Sequence, residues 1–145
     1  MILLEIFDKF RDVKLWRVTD EYYNATSNLS DGTILTVKFM GEAVVDGEWE
    51  ILFTRSGSNM RGNPYVKSGQ GLEVEVFSTV FAAIGKFVQE VNPETMFFVA
   101  EKENIDDSRV NLYKRMVNTF GPKLGFSVST SPMGDGLAFI LRRGS

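Results

Sequence analysis

Residues 66–77 read VKSGQGLEVEVF, that is Val66, Lys67, Ser68, Gly69, Gln70, Gly71 and Leu72 followed by Glu73-Val74-Glu75-Val76-Phe77. Two glycines stand one residue apart where a helical pattern begins: Phe77, Val80, Phe81, Ile84, Phe87, Val88 and Val91 form one apolar stripe, with Glu73, Lys86, Gln89 and Glu90 outside it. Such a glycine pair is either a plain turn or a place where bare backbone N–H groups, here from Gly69 to Leu72, meet an anion at the positive end of a helix dipole, with Lys67 adding charge. Glu73 and Glu75, read as the first helical turn, suit the dipole but repel a phosphate. Asn92-Pro93 ends the helix.

Upstream of this stretch, Leu35, Val37 and Phe39 alternate with Thr36 and Lys38, and after Asp46-Gly47 the residues Trp49, Ile51 and Phe53 alternate with Glu48, Glu50 and Leu52. Asp-Gly between two runs of period two predicts an antiparallel hairpin over residues 33–55. Residues 55–71, rich in Gly, Ser and Asn, are long for a connection, and loops of that length are functional or disordered. Earlier still, a strand is predicted around Leu15 to Val18, then a polar loop of turn formers up to Gly32. Ile2, Leu3, Ile6, Phe7 and Phe10 predict an amphipathic helix over residues 2–11 that docks on the sheet.

Downstream, TMFFVAE at 95–101 predicts a strand buried on both faces. Asp106 or Asp107 caps a helix whose Val110, Tyr113, Met116, Val117 and Phe120 face the core and which Gly121-Pro122 ends. Gly125-Phe126 opens a second hairpin that turns over Pro132 to Gly136 and returns through an apolar strand, Leu137 to Leu141. The order places a helix between a hairpin and a buried strand, a crossover unit.

The 145 residues, 43% hydrophobic and 24% charged, suit a single domain, 1–145, with a sizeable core. A net charge of −3 argues against nucleic acid as the main partner. With neither cysteine nor histidine, the chain has no disulfide, thiolate nucleophile or imidazole base, and no metal is expected. Chemistry falls to carboxylates, hydroxyls, Lys, Tyr, Arg or the backbone. The apolar N-terminal block is broken by Glu5 and Asp8 and carries no basic lead, so neither signal peptide nor membrane span is expected and the cytoplasm is the expected compartment.

Taken together, VKSGQG with its helix, MFFVAE, SRVNLYKRM and KLGF resemble the GNAT superfamily of acyl-CoA-dependent N-acyltransferases, from about Val37 to the C-terminus. The resemblance implies an α/β (α+β) fold: a single mixed, mostly antiparallel sheet flanked by about three helices, with acetyl-CoA bound between the strands before and after the glycine-loop helix. In the family a loop of Arg or Gln, two residues, Gly, any residue, and Gly or Ala wraps the pyrophosphate of coenzyme A. Gly69 and Gly71 match it; Val66 stands where Arg or Gln is usual. Leu112-Tyr113 before Gly125-Phe126 matches the next landmark with a longer spacer, and by resemblance Tyr113 protonates the thiolate of coenzyme A. Where the family has Asn and Ala upstream of Leu-Tyr, this chain has Asp106 and Arg109. The wording SRxxLYxRM is nearer to small acetyltransferase-like proteins encoded by bacteriophages, which implies the host cytoplasm.

Each of these residues also has a plainer reading. Tyr113 lies on an apolar stripe, where a tyrosine with its hydroxyl bonded to backbone is an ordinary core residue. A general base would be Glu48, Glu50 or Glu101; alternation makes the first two solvent-facing, whereas Glu101 ends the buried strand. Arg55, Arg61 and Lys67, and on the later helix Ser108, Arg109, Lys114 and Arg115, either solvate a surface or meet the phosphates of coenzyme A or an acidic partner. Two functions stay open: acetyl transfer from acetyl-CoA to an unidentified amine, or a non-catalytic binding or structural module with a protein partner, such as a phage protein acting on a host component or in the virion. The apolar C-terminal hairpin leaves a homodimer open.

Overall fold

The computed structural model describes residues 13–41, 47–57, 69–100, 107–134 and 136–144, with the backbone alone at 69–73, 107–110 and 112. The elements run β1 Lys14–Thr19, β2 Tyr22–Asn28, β3 Ile34–Gly41, β4 Glu48–Ser56, α1 Gly69–Val91, β5 Thr95–Ala100, α2 Asp107–Lys123, β6 Phe126–Met133 and β7 Gly136–Arg143. The strands form one mixed sheet in the order β1-β2-β3-β4-β5-β7-β6. β1–β2, β2–β3, β5–β7 and β6–β7 pair antiparallel, and β4–β5 pair parallel. The helix expected over residues 2–11 lies outside the described residues. The chain divides into two compact units, Met1–Met40 with Leu52–Asn92, and Gly41–Ile51 with Pro93–Ser145.

In the first unit, the β2–β3 register sets Tyr23 opposite Phe39, Ala25 opposite Val37 and Ser27 opposite Leu35, and of these only Tyr23 is not buried. Phe87 of α1 stacks on Phe39 at 4.2 Å between centroids and meets Tyr23 edge-on at 5.4 Å, while Phe77 meets Phe53 edge-on at 5.7 Å. Aromatic pairs in these arrangements add to the burial of their area. The polar loop expected from 19 to 32 is in fact a turn, the strand β2 and a second turn. YYNATSN hides its alternation because the core-facing positions are the small Ala25 and Ser27, yet Tyr and Thr fit a pleated surface. The turn formers act only between strands, where Gly32 takes φ +87°.

Helix α1 is buried beyond its expected stripe. Every residue from Phe77 to Ile84 is buried, Ser78 and Thr79 among them, whereas Val88 and Val91 are half-buried. The Thr79 hydroxyl donates to the Glu75 carbonyl at 2.7 Å, which offsets the cost of burying it. Lys86 Nζ donates to the Val13 carbonyl at 2.7 Å and ties the start of β1 to α1. The helix stops at Asn92, which takes φ +56° and donates its N–H to the Val88 carbonyl at 2.9 Å, with Pro93 following.

In the second unit, Met96, Phe98 and Ala100 of β5 are buried and Thr95, Phe97 and Val99 half-buried, so one face of this strand is less enclosed than expected. Phe98 stacks on Phe139 of β7 at 5.0 Å. Helix α2 buries Tyr113, Met116, Val117 and Phe120. Contrary to expectation it runs through Gly121-Pro122 to Lys123. A proline in the last turn forfeits a single backbone bond, and the stop is made instead by Gly125, at φ +90°, whose N–H donates to the Pro122 carbonyl at 3.0 Å. The second hairpin also turns more tightly than expected. Met133 pairs with Gly136 and Pro132 with Leu137, so Pro132 belongs to β6, the terminal strand of the sheet, where a missing N–H is tolerated.

Candidate functional site

The crossover from β4 through α1 to β5 is the feature around which a site can be built. β4 and β5 pair in parallel through Glu48↔Thr95, Trp49↔Met96 and Glu50↔Phe97, while β5 pairs with β7 along its whole length, Thr95↔Arg142 to Ala100↔Leu137. Glu48 and Glu50 are half-buried rather than freely solvated.

The glycines are not in a loop before the helix. Gly69 is the first residue of α1, and Gln70, Gly71 and Leu72 complete its first turn. An α-helix leaves the N–H groups of its first turn without partners inside the helix, and there the positive end of the dipole is concentrated. That turn holds no acidic residue. Glu73 and Glu75, expected in the first turn, fall after it, which moves their charge away from the helix start. Val66, Lys67 and Ser68 lie outside the described residues.

Glu75 is further committed. Its Oε2 accepts from the Ser30 N–H at 3.0 Å and its Oε1 from the Ser30 hydroxyl at 2.7 Å, so the turn between β2 and β3 is fastened to the second turn of α1. The partners are 45 residues apart, and no local spacing in the sequence signals them. In the same turn Asp31 Oδ1 accepts from the Thr33 N–H at 3.0 Å and hydroxyl at 2.5 Å. Burial pushes the Asp31 carboxyl up, but the Thr33 hydrogen bonds and the Arg55 charge outweigh it and hold the group below the ordinary aspartate range.

On α2, Ser108 and Arg109 stand in the first turn, and Tyr113 follows Arg109 by one turn of the helix. Tyr113 is 8% exposed, on the stripe with Met116, Val117 and Phe120. Glu101, expected at the end of the buried strand over 95–101, lies outside the described residues. An open groove of about 370 Å³ lined by Glu94, Thr95, Arg142, Arg143 and Gly144 sits at the other end of β5 and contains none of these residues. The Arg143 guanidinium there donates to the Pro93 carbonyl. Of the apolar residues of the C-terminal hairpin, Phe126, Ala138, Phe139 and Leu141 are buried, Val128, Leu137 and Ile140 half-buried, and Met133 exposed. Among the described residues no cluster of acidic side chains is arranged to hold a metal ion, and no helix is long and apolar enough to cross a membrane.

No protein-family model and no curated protein matches the sequence. Solved structures do. A chimera of the Vibrio cholerae spermidine N-acetyltransferase SpeG with hSSAT aligns over 97% of this chain and 74% of its own, at 11% identity and a TM-score of 0.50. A SpeG variant from Vibrio cholerae aligns over 97% and 72% at 10% identity and a TM-score of 0.48. A GNAT-family acetyltransferase from Streptococcus pneumoniae aligns over 88% and 70% at 14% identity and a TM-score of 0.39. With its mixed seven-stranded sheet and the crossover through α1, the chain has the fold of the GNAT acyl-CoA N-acyltransferases.

Proposed function

We propose that this protein is an N-acyltransferase that moves an acetyl group from acetyl-CoA to an amine. The observation that carries the reading is the start of α1 at Gly69, within a crossover between parallel strands, on a fold shared with acetyltransferases. Backbone N–H groups of Gly69, Gln70, Gly71 and Leu72 hold the pyrophosphate of coenzyme A, beside Val66, Lys67 and Ser68, and the glycines let that backbone approach closely. Ser108 and Arg109, in the first turn of α2, are the further residues that the acyltransferase resemblance assigns to coenzyme A. The amine nitrogen attacks the thioester carbonyl; a C–N bond forms and the C–S bond breaks. Glu101 takes the proton released from the amine, and the Tyr113 hydroxyl gives one to the departing thiolate and regains it from solvent. Direct attack needs no acyl-enzyme, in keeping with a chain that has no cysteine.

The burial of Tyr113 favours a second reading, in which the fold serves as a non-catalytic binding module with a protein partner, for instance in a phage. Calorimetric and thermal-shift titration with acetyl-CoA and coenzyme A separates the two, on wild type and on Gly71→Glu. A carboxylate in the first turn suits the helix dipole, so this variant is expected to fold while its charge and bulk exclude phosphate. Ligand at a hundred times its dissociation constant stabilises the fold by about 2.7 kcal/mol. A shift in wild type that Gly71→Glu abolishes supports the transferase; no shift at saturating ligand supports the binding module.

A further inference from the structure

We infer that Glu75 is a positioning residue for the phosphate site at the start of α1, acting through its double hydrogen bond to Ser30; the inference rests on the function proposed above. The physical problem is one of charge and order together. A helix start that binds phosphate must be held still, because its first turn lacks the backbone bonds that secure the interior, yet a carboxylate near it repels the ligand. Glu75 meets both requirements. It sits one turn beyond Leu72, so its carboxylate can reach out to the β2–β3 turn, and both its oxygens are engaged there by Ser30. The carboxylate thus accepts from both the N–H and the hydroxyl of Ser30. The anchorage is itself ordered: Asp31 accepts from both the N–H and the hydroxyl of Thr33, the Leu29 N–H donates to the Thr33 carbonyl at 2.8 Å, and the Thr79 hydroxyl donates to the Glu75 carbonyl. The turn beside Glu75 is thereby built as a fixed post, and α1 is moored to it just behind its ligand-binding end.

Two substitutions separate the mooring from the charge. Glu75→Gln removes the charge and keeps the geometry, since the amide oxygen accepts from the Ser30 N–H and the amide nitrogen donates to the hydroxyl. Glu75→Ala removes both and places the best helix former at the site, so any loosening is not a matter of propensity. Amide hydrogen exchange without ligand and calorimetric titration with coenzyme A are measured on wild type and both variants. Glu75→Gln is expected to keep wild-type protection at residues 72–76 and to bind coenzyme A about twofold more tightly, the effect of removing one screened charge at roughly 9 Å. Glu75→Ala is expected to exchange two- to ten-fold faster at 72–76, with protection at 80–87 unchanged, and to bind two- to ten-fold more weakly than Glu75→Gln, about the worth of a net hydrogen bond or two. Equal exchange and equal affinity in the two variants overturn the inference. Faster exchange in Glu75→Ala with no binding of coenzyme A by wild type overturns the proposed function, and with it the positioning role, while leaving the mooring itself demonstrated.

Discussion

A single methyl group added at Gly121 tests how α2 is seated on the C-terminal hairpin. An ideal Cβ there stands 2.6 Å from Val128 Cγ2 and 3.5 Å from Leu141 Cδ2. Carbon atoms are best separated by about 3.5–4.0 Å, so roughly 1 Å must be opened against a β-branched side chain that has little rotamer freedom. Overpacking of this kind costs about 1–3 kcal/mol. Alanine in a helix is better than glycine by about 0.8–1.0 kcal/mol, which offsets part of it. Gly121→Ala is therefore expected to destabilise by about 0–2 kcal/mol. In a Val128→Ala background the opposing carbon is gone, and the same substitution is expected to stabilise by close to the full helical preference. The coupling between the two sites, about 1–3 kcal/mol, is read from urea unfolding of wild type, both single variants and the double variant. Gly125→Ala is the control: nothing lies within 4 Å of its Cβ, but φ is +90°, so it should cost about 1–2 kcal/mol whatever stands at 128. A coupling below about 0.5 kcal/mol, or a stabilised Gly121→Ala in the wild-type background, refutes the close approach of α2 to β6.

Four further outcomes are expected. Phe39→Ala, which removes a fully buried ring stacked on Phe87, should cost about 3–5 kcal/mol in denaturant titration. Because Asp31 is held below the ordinary aspartate value, its contribution is complete above the unfolded pKa of about 3.9 and is lost as pH falls through the folded value; the stability gap between wild type and Asp31→Asn should thus close below about pH 4 in thermal melts. Lys86→Met should cost about 1.5–3 kcal/mol through the lost charged donor to Val13, with amide exchange accelerating first at the start of β1. Under the transferase reading, Tyr113→Phe should lower kcat about 10²–10⁴-fold with an unchanged dissociation constant for coenzyme A, whereas a purely structural tyrosine would change stability alone.

The elements that could be read from sequence are those whose local pattern and burial agree. Leu35, Val37 and Phe39 alternate because one face of β3 is core, and Gly47 takes the positive φ, +84°, that the Asp-Gly signal anticipates. β2 was illegible for the opposite reason. Its inward residues, Ala25 and Ser27, are small because α1 lies close over them, and small polar residues spell a loop in any reading by composition. The same difficulty decided the candidate site. Glycine has the poorest helical propensity after proline, so the helix was expected to begin after Gly71, and that boundary put Glu73 and Glu75 in the first turn, facing any phosphate. With Gly69 as the first residue, the acids belong to the second turn. The change is only a few residues, but the field at a helix end falls off within a turn, so it weakens the local argument. The partner that engages Glu75, Ser30, approaches only once β2 and β3 have paired and α1 has packed across them. The electrostatic case against an anion at this turn is therefore weaker than the first-turn reading made it, and the glycine stretch still departs from the acyltransferase pattern at the uncharged Val66.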